Sequence, residues 1–290
     1  MEVENMQKTG SSSCFRMQNL FFLICCFTLQ LLISTTSEAK NTFEARNKTY
    51  LTVCGDPNHL PFSNKKMQGF ENRIAQLIAD DLERTLRYHW WPQTIGFVRN
   101  TLKIRLCDLI MGVTSVNELL QNTNPYYRSV YTLVYRKDSG LKIKSLNDPV
   151  LKQLRIGVVA GTPPATVLSN NGLMDKVKSY HRTVDTRLYS PATRAVEDVA
   201  LQKIDVAVIW GPIAGYAAKN QQIPLTVVPL PAKIDNVPLA FNVSMGIRRR
   251  EQNWKHQLNV KLEELAPQIE TILLDYQIPL LDANDNLIKP

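Results

Sequence analysis

From residue 50 onward, short apolar runs alternate with stretches in which apolar residues recur every third or fourth position. "YLTVCG" (50–55) has the length and composition of a strand. "GFENRIAQLIADDL" (69–82) sets Phe70, Ile74, Leu77, Ile78 and Leu82 on one helical face. "LRYHWWPQ" (86–93) predicts a second strand, "GFVRNTLKIR" (96–105) a helix, and "CDLIMGV" (107–113) a third, buried strand. This βαβαβ order predicts α/β architecture, a mostly parallel sheet with helices on both faces.

A second series follows. "LRIGVVAG" (154–161) predicts a strand, after which Thr162 is placed to cap a helix, Pro163 to begin it and Asn171-Gly172 to close it. Ser190-Pro191 repeats the start signal for "ATRAVEDVALQKI", which feeds the apolar strand "DVAVIWG". Two extended stretches, "RSVYTLVYRKDSG" (128–140) and "LAFNVSMGIRR" (239–249), read as crossings between the two series. The last helices carry Trp254, Leu258, Leu262, Leu265, Ile269, Ile272 and Tyr276 at steps of three and four, and Pro267 divides them. The expected organisation is a two-lobed clamshell with mixed, mostly parallel sheets. Lobe one takes 40–136 and 240–290, lobe two takes 137–239, and the ligand lies between them.

The first 39 residues change this picture only by being removed. Lys8 and Arg16 precede the apolar run 20–33, and Ser37-Glu38-Ala39 has the small residues of a secretory cleavage site. The run is short for a membrane span of about 20 residues, so a cleaved signal peptide and export, without membrane insertion, are expected. Cleavage removes two basic and three acidic residues, taking the net charge from +8 to +9. That balance favours acidic partner surfaces. With export and no dense basic stripe, it does not indicate nucleic acid. Arg248-Arg249-Arg250 reads as a solvated helix start.

Cleavage also leaves two cysteines, Cys54 and Cys107. In an oxidising compartment the pair suggests one disulfide, worth roughly 4 kcal/mol by loop entropy. Against it, Cys54 ends its strand and Cys107 begins its own, toward opposite ends of parallel strands. Two buried free thiols are the alternative.

Enzyme signals are weak. The four histidines show no metal-ligand spacing, and no nucleophile elbow, dinucleotide fingerprint or phosphate loop is present. The candidate site is the carboxyl edge of the strands, where open α/β folds bind ligands. There Asp56 and Asn58 fix a turn and Phe62 offers a ring. Trp91 and Gln93 follow the second strand, and Thr114 and Ser115 the third. Tyr126 and Tyr127 approach from the first crossing, with Trp210 and Pro212 opposite in lobe two. Trp90, Tyr131 and some of these aromatics equally suit a core; alternation makes Trp90 and Trp91 face opposite ways.

The layout resembles type II periplasmic solute-binding proteins in "LPFS", "GFENRIAQLIADDL", "CDLIMGV" and "NPYYRS". Amino-acid receptors of that superfamily hold the ligand carboxylate with an Arg shortly after the third strand, where this chain has "TSVNELLQ". They hold the amine with an acid where Trp210 stands. At the lobe-two helix start Pro163 and Pro164 remove two N–H donors, leaving Thr162 and Ala165. The resemblance therefore implies a binding protein whose solute is not an amino acid.

A narrower family fits more motifs. "VCGDPNHLPFSN", "WWPQTIGFVRNTLKIRLCDLIMGV", "PYYRSVYTLVYR", "TPPA", "DVAVIWGPIAGY" and "FNVSMGIRR" together resemble the quinoprotein-dehydrogenase-associated binding proteins of the MoxJ/XoxJ type, over nearly the whole mature chain. The resemblance implies a non-catalytic periplasmic accessory of a dehydrogenase using pyrroloquinoline quinone (PQQ), in methanol oxidation, helping to mature or activate it. The cofactor belongs to the partner, none being bound by this chain. The implied partners are the dehydrogenase and its c-type cytochrome, with a small apolar or aromatic ligand also compatible with the cleft. An ABC-importer receptor is the alternative. Between "IGVV" and "TPPA" the chain is shorter than the family leads one to expect, so no contact from a longer loop is carried over.

Overall fold

The computed structural model describes residues 47–114, 118–182 and 184–289. The leader and its cleavage site lie outside the described residues, as does Ser115.

Strands β1 (Tyr50–Gly55), β4 (Thr85–Trp90) and β5 (Leu109–Val113) pair in parallel, with β1 central. Strands β7 (Ile156–Val159), β8 (Val177–Tyr180) and β9 (Val206–Trp210) form a second parallel trio, with β7 central. Two antiparallel strands, β6 (Gln121–Arg136) and β13 (Ala240–Ile247), join the trios into one sheet. The order β4-β1-β5-β13-β6-β9-β7-β8 is thus parallel at both ends and antiparallel where the chain crosses. The sixteen-residue β6 changes partner midway. Residues up to Val130 pair with β13, while Tyr131 onward pair with β9 and with β10 (Leu225–Pro229).

Alternation along the strands divides the core. In the first trio, Val53, Leu109 and Met111 face helix α1 (Phe70–Asp81) and the terminal helices α6 (Gln252–Glu264) and α7 (Ala266–Asp275). Their neighbours Cys54 and Ile110 face a small cluster holding Phe97, Leu102 and Cys107. In the second half, Leu133, Val206 and Val208 face one side, and Val134, Ala207 and Ile209 face α4 (Pro191–Ala200) and α5 (Gly211–Lys219) on the other. Each fully buried Leu, Ile or Phe contributes about 1.5–3 kcal/mol, so both halves rest on their own apolar contacts.

Several expectations need correction. The helix expected over 96–105 is the single turn α2 (Phe97–Asn100), because Thr101 leaves the helical region with φ of −131° and ψ of −85°. Strand β8, helix α5 and the hairpin β2 (Asn58–His59)–β3 (Ser63–Asn64) went unpredicted. Cys54 and Cys107 are disulfide-bonded, with Cα atoms 5.5 Å apart. The opposite-ends objection fails because β5 is displaced along β1. Leu109 lies beside Val53, so the turn before β5 reaches the end of β1. Arg248 is buried, not solvated: it pairs with Glu251 at 2.7 Å and donates to the Cys107 carbonyl, which fixes that turn.

Helix α3 (Pro163–Asn170) begins and ends where expected, and Gly172 takes φ of +65° just beyond it. Thr162 occupies the capping position without a side-chain cap; its hydroxyl donates to the Val159 carbonyl at 2.7 Å instead.

Candidate functional site

The loop after β1 is held from both ends. Asp56 Oδ1 accepts the Asn58 N–H at 2.9 Å, making the expected turn, and Asp56 Oδ2 accepts the Gln93 N–H at 2.7 Å. At the far end the Pro61 and Phe62 carbonyls accept the N–H groups of Phe70 and Glu71, satisfying the first donors of α1. Gly69 is required there, since a Cβ would collide with the Phe62 carbonyl. Asn72 Oδ1 accepts from both Gly69 and Asn64, locking loop to helix. The His59 and Phe62 rings stack at 4.9 Å, within 8° of parallel.

These contacts line one side of a cavity of about 470 Å³. His59, Phe62, Glu71, Gln93, Thr114 and Tyr127 form that side. Thr162, Pro163, Arg182, Pro191 and Trp210 form the opposite side, and Tyr131 and Phe241 lie on the crossing strands between. Trp210 packs edge-on to Tyr131 at 5.2 Å and to Phe241 at 6.1 Å, an aromatic wall built from β9, β6 and β13.

Loops beside the cavity are bridged. The Thr186 hydroxyl, from the loop after β8, donates to both Asp56 oxygens at 2.8 and 2.7 Å, and Asn58 Nδ2 donates to the Thr186 carbonyl at 3.0 Å. Asp56 is buried and receives four donor contacts from three separate segments.

Of the sequence candidates, Phe62, Gln93, Thr114, Tyr127, Thr162 and Trp210 meet at the cavity. Asp56 and Asn58 are outside the lining and are bonded instead to Thr186. Tyr126 is outside the lining, half-buried next to Tyr127, and its hydroxyl oxygen accepts the Gly112 N–H at 3.2 Å. Pro212 is buried in α5, and Trp91, 39% exposed, stands outside the cavity lining. Ala165 offers no free donor, because its N–H is bonded to the Thr162 carbonyl.

Sequence reasoning missed Glu71, Arg182, Tyr131 and Phe241 as lining residues. Glu71 looks like a solvent-facing acid in the first helical turn, yet it is buried. Its carboxyl approaches Gly112, where φ is +71° and a Cβ would collide with Glu71 Oε1. Burial, and then the Asp56 charge, raise its pKa to about 8, so it is mainly protonated at neutral pH. Burial lowers the His59 pKa despite the opposing pull of Asp56, and His59 Nδ1 is buried without a hydrogen-bond partner. Burial, then Glu71, raises Tyr127; burial pushes Tyr131 to about 12, against Arg182 and a hydrogen bond with Thr162. The cavity is therefore aromatic, with a neutral acid and imidazole on one wall and a guanidinium on the other. Among the described residues no group of three or more His, Cys, Asp or Glu is placed to hold a metal ion, and no helix is long and apolar enough to cross a membrane.

No family model matches the chain. Protein MoxJ of Methylorubrum extorquens is 31% identical over 250 residues, covering 81% of this chain and 83% of the relative. The crystal structure of the periplasmic binding protein XoxJ from Methylobacterium extorquens AM1 is 45% identical, with a TM-score of 0.69, covering 80% of this chain and 99% of that one. MxaJ from Methlophaga aminisulfidivorans MPT is 30% identical, with a TM-score of 0.68, covering 80% of this chain and 100% of that one.

Proposed function

The chain belongs to the MoxJ/XoxJ family of two-lobed, type II periplasmic binding proteins, and on that premise we propose that it is a non-catalytic accessory of a PQQ-dependent alcohol dehydrogenase system. It is exported, cleaved after Ala39, and assists maturation or activation of the dehydrogenase by gripping a segment of that enzyme or of its c-type cytochrome. Lobe one is taken as 40–136 and 240–290 and lobe two as 137–239, with the crossing strands serving both. The quinone stays with the partner.

The observation that carries this reading is the wall formed by Trp210, Tyr131 and Phe241. At Trp210, where amino-acid receptors place an acid, this chain offers an aromatic face. Aromatic anchors of this kind dominate protein interfaces. A second reading, a receptor passing a small solute other than an amino acid to an ABC importer, draws on the cavity's modest volume of about 470 Å³.

Surface-based kinetics against purified dehydrogenase and cytochrome, across a salt series, tests the proposal. Association should slow as salt rises, because the Debye length shrinks from about 10 Å at 0.1 M to about 3 Å at 1 M. Dissociation, governed by aromatic contacts, should change less. Absence of binding to either partner at low salt would favour the importer reading. N-terminal sequencing of periplasmic material should begin at Lys40.

A further inference from the structure

Glu71 is placed as a counter-ion without its ion. Its side chain lines the cavity, the residue is only 6% exposed, and among the described residues no hydrogen bond or ion pair reaches the carboxyl. No neighbouring group neutralises it. The nearby tyrosines are neutral donors at most and bring no positive charge, and both Asp56 oxygens are occupied by Asn58, Gln93 and Thr186. Arg182, the guanidinium in the lining, donates to the Gly161 carbonyl at 3.1 Å in the opposite wall. A buried acid in this position is costly when ionised unless a cation meets it. His59 Nδ1, a buried atom without a hydrogen-bond partner in this wall, belongs to a ring stacked on Phe62. The rings of Phe62 and Tyr127 also line this end, and aromatic faces attract cations.

We infer that this end of the cavity is a site for a primary alkylammonium group, with Glu71 as its counter-ion and the Phe62 and Tyr127 rings as its walls. An anion would meet the negative charge of Asp56 and keep Glu71 protonated. A neutral alcohol would likewise leave the Glu71 proton in place. The ammonium could come from a free amine or from a lysine side chain of a bound segment. The inference rests on reading the cleft as a ligand site, but it does not require the dehydrogenase partner.

Binding should carry a proton signature. Glu71 is mainly protonated at neutral pH, so an incoming ammonium displaces its proton. The titratable neighbours facing Glu71 are Asp56, His59, Tyr88, Tyr126 and Tyr127. Burial holds His59 toward its neutral form and the three tyrosines toward theirs. Affinity should therefore rise between pH 6 and pH 8, by up to about tenfold per unit, while the ligand stays charged.

The test is calorimetry on the mature protein with n-butylammonium chloride and Nα-acetyl-lysine amide, against n-butanol and butyrate, in two buffers of different ionisation enthalpy. Support is a cationic probe binding at least tenfold tighter than n-butanol and butyrate, with a buffer-dependent enthalpy showing proton release. The tighter of the two cationic probes then identifies the source. Glu71→Gln should cost at least tenfold in affinity and abolish the buffer dependence. Equal binding of n-butanol, buffer-independent enthalpy, an unaffected Glu71→Gln variant, or no binding of either cation overturns the assignment. If circular dichroism shows Glu71→Gln unfolded, the wild-type pH series and proton release decide. Failure of both amines leaves the dehydrogenase kinetics unaffected, so the two readings fail separately.

Discussion

The Thr186 hydroxyl donates to both oxygens of Asp56, at 2.8 and 2.7 Å, across 130 residues of chain. Asp56 leaves the end of β1, whereas Thr186 lies between β8 and α4. The same carboxylate takes the Gln93 N–H, so one buried charge organises three loops, of which Gln93 lines the cavity. Charge-assisted bonds of this kind are stronger than neutral ones, and burial keeps water from replacing them.

Replacing Thr186 by Val should loosen the link between these loops while preserving the turn. Asp56 would keep its two backbone donors but lose the hydroxyl, at a cost of about 1.5–3 kcal/mol. Urea unfolding should show that loss, and hydrogen exchange should quicken in 185–190. Unchanged exchange would mean the contact does not hold the loops together.

Stability should carry the mark of Glu71. Burial and Asp56 hold its folded pKa at about 8, against an ordinary 4.5. The folded chain therefore keeps a proton that the unfolded chain releases. This contribution is intact below pH 4.5 and declines as pH rises toward 8, by about 1.4 kcal/mol per unit. Denaturation at pH 5 and pH 8 should show Glu71→Gln gaining on wild type as pH rises. Parallel pH profiles would contradict the assigned burial.

Replacing both Cys54 and Cys107 by Ala should lower stability by roughly 4 kcal/mol, since the bond closes a loop spanning 53 positions. Denaturation of oxidised, reduced and double-variant protein checks this. The reduced wild type should fall near the variant.

Trp210→Ala removes the centre of the Tyr131–Trp210–Phe241 cluster. Under the proposed function it should weaken dehydrogenase or cytochrome binding by about 2 kcal/mol or more, mainly through faster dissociation. Unaltered kinetics would make Trp210 a packing residue.

Local periodicity was enough to read α1, the first parallel trio, β7 and β9 of the second, both crossings and the break at Pro267, because each rests on contacts within a few residues or on one buried face. The motifs around Phe62, Thr114 and Trp210 likewise marked the strand ends that meet at the cavity. Three features were decided only by tertiary structure. The disulfide depends on the displacement of β5 along β1, a register that neither strand encodes alone. Arg248 is buried because the Cys107 turn closes over it. Glu71 is the sharpest case. A glutamate in a first helical turn is ordinarily solvated, but the loop ending at Phe62 and the bare backbone of Gly112 enclose this one. No pattern within α1 records that enclosure, because the atoms that desolvate Glu71 come from β5, β6 and the loop after β1.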